Sequence, residues 1–193
     1  MPYLSYVSHP LPPHQIEDIL QTLQSLPADR QRQVVEFIEF VAARSAAERE
    51  EDWFWGLVGL IDLERGDTEG ATNTLIDTLS QLEDEEIFKF HDLLAEKLSA
   101  LDGPLYFEHS VGSADGFLYE RAYAVGSGKK QYYAVLENPG LFPEDNELQY
   151  LLSVAESAYE RKHGRDLERV PKVIYESFWN QALWGEEAIA IHA

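Results

Sequence analysis

The chain has 193 residues, a formal charge of −20 from 35 Asp and Glu against 15 Lys and Arg, 45% hydrophobic residues and no cysteine. A chain of this size hides roughly 70% of the surface its unfolded form exposes, enough for one domain with an appendage or two small ones. The missing cysteine excludes disulfides, thiol catalysis and Cys-ligated metals. The charge excludes general nucleic-acid binding, because each phosphate contact takes a cation.

Residues 1–15 hold no Lys or Arg and no apolar run of signal-peptide length. The longest apolar stretch, Trp53 to Ile61, sits between Glu50-Glu51-Asp52 and Asp62. It is far short of the roughly 18 apolar residues that a membrane span requires. These features predict a soluble cytoplasmic protein with no membrane association.

Pro10, Pro12 and Pro13 predict an extended lead-in over 1–13. Ile16, Ile19, Leu20, Leu23 and Leu26 then share one helical face, and Pro27 opens a second helix, proline being tolerated in a first turn. That helix carries Val34, Phe37, Ile38 and Val41 on one stripe. Val35 and Phe40 widen it enough for two neighbours, one of which a second chain can supply, so a homodimer through the N-terminal helices is one expectation. Arg44 to Asp52 is charged and helical in propensity with no apolar stripe, and marks the domain boundary. The expected organisation is a lead-in and helical pair over 1–46, then a helical domain over 47–193.

A third helix is expected over about 52–65, closed by Gly66. A fourth, capped by Asp67 or Thr68, buries Ala71, Leu75, Ile76, Leu79 and Leu82. Glu83-Asp84-Glu85-Glu86 opens a fifth, where carboxylates oppose the positive end of the helix dipole. Ile87, Phe90, Leu94, Leu98 and Leu101 give it a clean stripe, and Asp102-Gly103-Pro104 stops it. The pattern breaks from Leu105 to Gly116. Short helices follow over 117–125 and 131–137, where frequent Tyr and Val also fit strand, joined by Gly126-Ser127-Gly128-Lys129-Lys130. After a turn over Pro139 to Pro143, Leu148, Leu151, Leu152, Ala155, Ala158 and Tyr159 define a long helix ending at His163-Gly164. The tail from Val173, with Phe178, Trp179, Leu183 and Trp184, predicts one more helix on the core. The fold class is all-α: a compact multi-helix domain preceded by an amphipathic helical pair.

Several blocks in fixed order resemble a bacterial family catalogued as domain of unknown function 4240. They are Asp52-Trp53-Phe54-Trp55, Glu85 to Phe90, Ser113-Ala114-Asp115-Gly116-Phe117 with Arg121, and Leu151 to Glu160 with Gly164. The resemblance covers roughly 50 to 185 and implies no reaction. Where that family places a Trp- and Gly-rich segment, this chain has Leu105 to Gly112, and the block after Arg121 is shortened around Gly126-Ser127-Gly128. Separately, Ser25 to Phe40 resembles a short helical box of small bacterial antitoxin-like proteins.

The leading ligand-site candidate is Ser113, Asp115, Tyr119 and Arg121 with nearby His109. A loop offering a hydroxyl, a carboxylate and an imidazole ahead of an arginine suits a polar ligand or acid–base chemistry. The competing structural role is a Ser113 or Asp115 helix cap, with Arg121 in an ion pair. Glu160-Arg161-Lys162-His163, with Glu156 one turn earlier, has the Glu-x-x-His spacing of di-iron bundles but no second copy, so no metal and no cofactor are expected. Gly126 to Lys130 lacks the phosphate-loop spacing and reads as a turn with solvated lysines. His91 lies on an apolar stripe as a core or flank histidine. Ser5 and Ser8 lack any nucleophile context.

Charge is unevenly spread. Residues 1–120 carry 24 acidic and 7 basic side chains, whereas 121–193 carry 11 and 8, with Arg161, Lys162, Arg165, Arg169 and Lys172 clustered. The pattern favours a non-enzymatic interaction or regulatory protein whose acidic helical surface engages a basic protein partner, antitoxin- or immunity-like. The alternative is a small-molecule-binding domain or an enzyme working at the Ser113–Arg121 region.

Overall fold

A computed structural model describes residues 10–185, all α-helices, short 3-10 turns and irregular chain, with no strand among them. Most of the expected lead-in, residues 1–9, and the end of the tail, 186–193, lie outside the described residues. The chain divides into two units, one up to Glu50 and one from Glu51.

The first unit is a helical hairpin. Helix α1 (Pro13–Ser25) starts at a proline, and α2 starts at Ala28 directly after Pro27. Gln31 Nε2 donates to the carbonyls of Gln24 (3.2 Å) and Leu26 (2.9 Å), which pins the turn. No residue of α1 is buried, and in α2 (Ala28–Val58) burial begins only at Phe54.

The charged stretch 44–52 and the expected third helix are parts of α2, which ends at Val58 rather than near residue 65. Nothing in Ala42 to Glu51 breaks a helix, so propensity carries it through. Gly66 (φ +72°) instead closes a 3-10 turn over Leu63–Arg65. The expected fourth helix is split at Thr72 into α3 (Thr68–Ala71) and α4 (Asn73–Leu79), with Leu75, Ile76 and Leu79 buried. Asp67 makes no cap bond there; its carboxylate lies 3.9 Å from Arg65.

Helix α5 (Asp84–Ala100) is the spine of the second unit. It opens on a capping box in which Glu83 and Glu86 satisfy each other's backbone N–H groups. Its stripe of Ile87, Phe90, Leu94 and Leu98 is fully buried, each side chain contributing roughly 1.5–3 kcal/mol. Proline-led α6 (Pro104–Phe107) follows, then α7 (Ala114–Gly126) and α8 (Lys129–Glu137). Both are helical where strand also fitted the residue types. Gly128, at φ +88°, makes the turn between them, which a side chain would strain.

A 3-10 turn over Pro139–Leu141 and another over Gln149–Ser153 lead into α9 (Val154–His163). Gly164 ends α9 in the left-handed conformation. Helix α9 packs on α4 and α5, and α7 packs on α5 and α8. Among the described residues the tail runs irregularly from residue 164 to one short helix, α10 (Gln181–Trp184), with Phe178 and Trp184 buried in the core. No helix among the described residues is long and apolar enough to cross a membrane.

Candidate functional site

The residues singled out around α7 divide into two kinds. Ser113 is the N-cap: its Oγ accepts the Gly116 N–H at 3.0 Å. Asp115, in the first turn, is exposed where a carboxylate favours the positive helix end. His109 is also exposed, and Tyr119 is half-buried with its carbonyl accepting the Leu148 N–H.

Arg121 is different, being fully buried. Its Nη1 donates to the carbonyls of Leu98 (3.1 Å) and Tyr175 (3.0 Å), and its Nη2 to Ser177 Oγ (2.8 Å). The Ser177 hydroxyl in turn donates to the Ala114 carbonyl. The guanidinium lies 4.7 Å from the Phe117 ring centre. Burial lowers its pKa to about 10, against the opposing pull of Asp102 and Glu176, so it stays charged at neutral pH. These donors all serve the protein's own chain, tying α5 and α7 to the tail.

Asp102, read from sequence as part of a helix stop, is the second half of that clasp. Its carboxylate accepts the backbone N–H groups of Phe178, Trp179 and Asn180, each at 2.8 Å, and Trp184 Nε1 at 3.0 Å. Phe178 sits at φ +72°, a costly conformation for an aromatic residue, held by Asp102 and by rings of Phe107, Phe117 and Trp184. A lone aspartate at a helix end ahead of a Trp-rich tail is the only sequence signal of this clasp.

Two further polar clusters lie in the second unit. Glu51 accepts from Tyr133 Oη, Lys97 Nζ (3.0 Å) and Trp55 Nε1 (3.2 Å). Burial raises its pKa, but these bonds outweigh that and hold it at about 2. Lys97 lies 5.6–5.7 Å from the ring centres of Trp55, Tyr132 and Tyr133.

In the other cluster, buried Asp92 takes Arg169 Nη2 (2.7 Å) and the Lys172 N–H (3.0 Å), and these outweigh burial to hold it at about 2. Neighbouring His91 is buried, its Nε2 3.5 Å from Glu156 Oε1, beyond good hydrogen-bond geometry. Burial depresses its pKa, reinforced by Arg169 and opposed by Glu156 and Asp92. His91 is sealed from water, whereas the Glu156 side chain is 41% exposed.

Of the basic cluster around the end of α9, Arg161 pairs with Asp77, Lys162 and His163 with Asp84, and Arg169 and Lys172 with Asp92, while Arg165 donates to Tyr159 Oη at 2.7 Å. Lys129 pairs with Asp52 at 2.7 Å. Among the described residues no group of three or more His, Asp or Glu is placed to hold a metal ion.

A family model described as Protein of unknown function (DUF4240) matches residues 49–161. The chain belongs to this family. The matched span runs from the last turns of α2 through most of α9, shorter at its C-terminal end than the resemblance over 50–185. It includes Glu51, His91, Asp102, Arg121 and Glu156, but not the tail that Asp102 and Arg121 hold. No curated protein and no solved structure matches the chain.

Proposed function

We propose that this DUF4240 protein is a non-enzymatic cytoplasmic interaction or regulatory protein whose acidic helical domain engages a basic protein partner. The observation that carries this reading is the fate of the cations. From residue 51 onward the chain has 28 acidic and 11 basic side chains. Of those basic groups, Arg65, Lys97, Lys129, Arg161, Lys162, Arg169 and Lys172 face carboxylates of the same unit, and Arg121 is buried.

The carboxylates left over stand on the surface, among them Glu83, Glu85, Glu96, Glu144, Asp145 and Glu147. A surplus of this size steers a positively charged partner at raised rates in low salt. The organisation expected under this reading is a lead-in and helical pair over 1–46 and a helical domain over 47–193. The antitoxin-like box at Ser25 to Phe40 makes neutralisation of a basic protein its most specific form. An enzymatic or small-molecule role at Ser113, Asp115, Tyr119, Arg121 and His109 is the weaker reading, because Ser113 and Arg121 are committed to the chain's own polar groups.

Affinity capture from host lysate at low and high salt tests the proposal. The expected result is a basic protein retained at low salt, released by salt, and lost from a Glu96→Lys/Glu144→Lys variant. Capture of nothing basic, or capture indifferent to salt and to charge reversal, contradicts it.

A further inference from the structure

We infer that the N-terminal hairpin is a self-association element: two copies of the chain pair through it, apolar face to apolar face, in a four-helix arrangement. This inference stands apart from the acidic-domain reading.

Phe37 and Phe40 expose 64% and 62% of their surface, and Ile16, Ile19, Leu20 and Ile38 expose 46–54%. Among the described residues of the hairpin none of these side chains is buried. At roughly 200 Å² for an aromatic and roughly 100 Å² for an aliphatic side chain, they and neighbouring Val41 offer on the order of 500 Å² of apolar surface per copy. A standard interface takes about 800 Å² from each partner, about 60% of it apolar, so the hairpin supplies what one such interface needs.

Three features favour a second copy as the occupant. The hairpin carries both halves of a match: protruding Phe37 and Phe40, and a groove of about 260 Å³ lined by Asp18, Ile19, Thr22, Leu23, Leu26 and Val34. A surface that both gives and receives closes on itself in a two-fold pair. Its charge is also close to balanced. Residues 10–50 hold 7 acidic and 4 basic side chains, Arg30, Arg32, Arg44 and Arg49 being interspersed among the acids, against 28 and 11 in the remainder. Two hairpins therefore meet with little repulsion, whereas a cationic partner is drawn to the other unit. Finally, two antiparallel helix pairs make the short-loop bundle that helices with a stripe on each commonly build.

Sedimentation of the full chain across about 1 to 200 µM tests this, in moderate and in high salt. The expected result is a mass rising with concentration from 22.0 kDa to twice that value, unweakened by salt because the contact is apolar. A Phe37→Asp/Phe40→Asp variant, altered only at exposed positions, stays monomeric throughout while keeping the thermal unfolding of the second unit. Glu96→Lys/Glu144→Lys still dimerises, which separates this inference from basic-partner binding. A wild type that stays at 22.0 kDa up to the highest concentration overturns it, as does a Phe variant that dimerises as well as wild type, or a dimer dispersed by salt.

Discussion

The two units of this chain are built from similar amphipathic patterns and end in opposite states. In the second unit the stripe of α5 is covered by α7 and α9, and Ile87, Phe90, Leu94 and Leu98 are sealed from water. In the first, Val34, Phe37, Ile38 and Val41 form an equally regular stripe, yet none is buried. Periodicity states that a face is apolar and not what covers it. Coverage depends on segments far away in sequence, and among the described residues the hairpin sets one short helix, α1, against α2.

Substitutions in the two units sharpen the contrast. The largest effect is expected at the clasp. Asp102→Ala leaves three backbone N–H groups and the Trp184 indole without their acceptor, and should cost about 3–5 kcal/mol in urea unfolding. Arg121→Met keeps the volume but strands the Leu98 and Tyr175 carbonyls, and should cost about 2–3 kcal/mol. An unfolding midpoint unchanged by both would remove the clasp from the account.

Acid comes next. The carboxyl groups of Glu51 and Asp92 lie at about 2 in the folded chain, below their ordinary 4.5 and 3.8. Their stabilisation is complete above those ordinary values and is lost as pH falls towards 2, on the order of 2 kcal/mol each. Glu51→Gln and Asp92→Asn should flatten the acid limb of a stability–pH curve. His91 acts over a higher window. Its depressed pKa means the unfolded chain takes up a proton first, so stability declines as pH falls below 6.5 towards the folded value. Glu156 from α9 and Asp92 from its own helix favour that proton, and Arg169 from the tail opposes it. His91→Leu should abolish this slope while leaving the limb near pH 2–4 in place.

The smallest effects belong to exposed positions. At a concentration where the chain is monomeric, Phe37→Ala, His109→Ala and Asp115→Ala should each shift unfolding by no more than about 0.5 kcal/mol. A loss of several kcal/mol at His109 or Asp115 would show that those side chains make contacts the structure does not give them.

The all-α class, the buried stripe of α5 and the acidic capping run were legible because each is local and repeated along one element. Helix ends were less so. Arg44 to Asp52 reads as a solvated helical linker by its lack of an apolar stripe, but nothing in it ends one helix and begins another, and α2 runs through it. Ser113 was legible as a cap from its place before Gly116. Arg121 was seen as a candidate, but its partners lie 23 to 56 residues away, as do those of Asp102, 76 to 82 residues away. The basic cluster around the end of α9 is legible as a cluster, but Asp77, Asp84 and Asp92, which face it, are not. Long-range pairing of polar groups leaves no period in the sequence.

Amide hydrogen exchange at two concentrations tests most directly whether one unit is complete alone and the other is not. Peptides from α5 should show the same protection in dilute and concentrated solution, while peptides covering Ile16 to Val41 should be weakly protected when dilute and gain protection as the chain is concentrated. Hairpin peptides whose protection equals that of α5 at both concentrations would contradict the account.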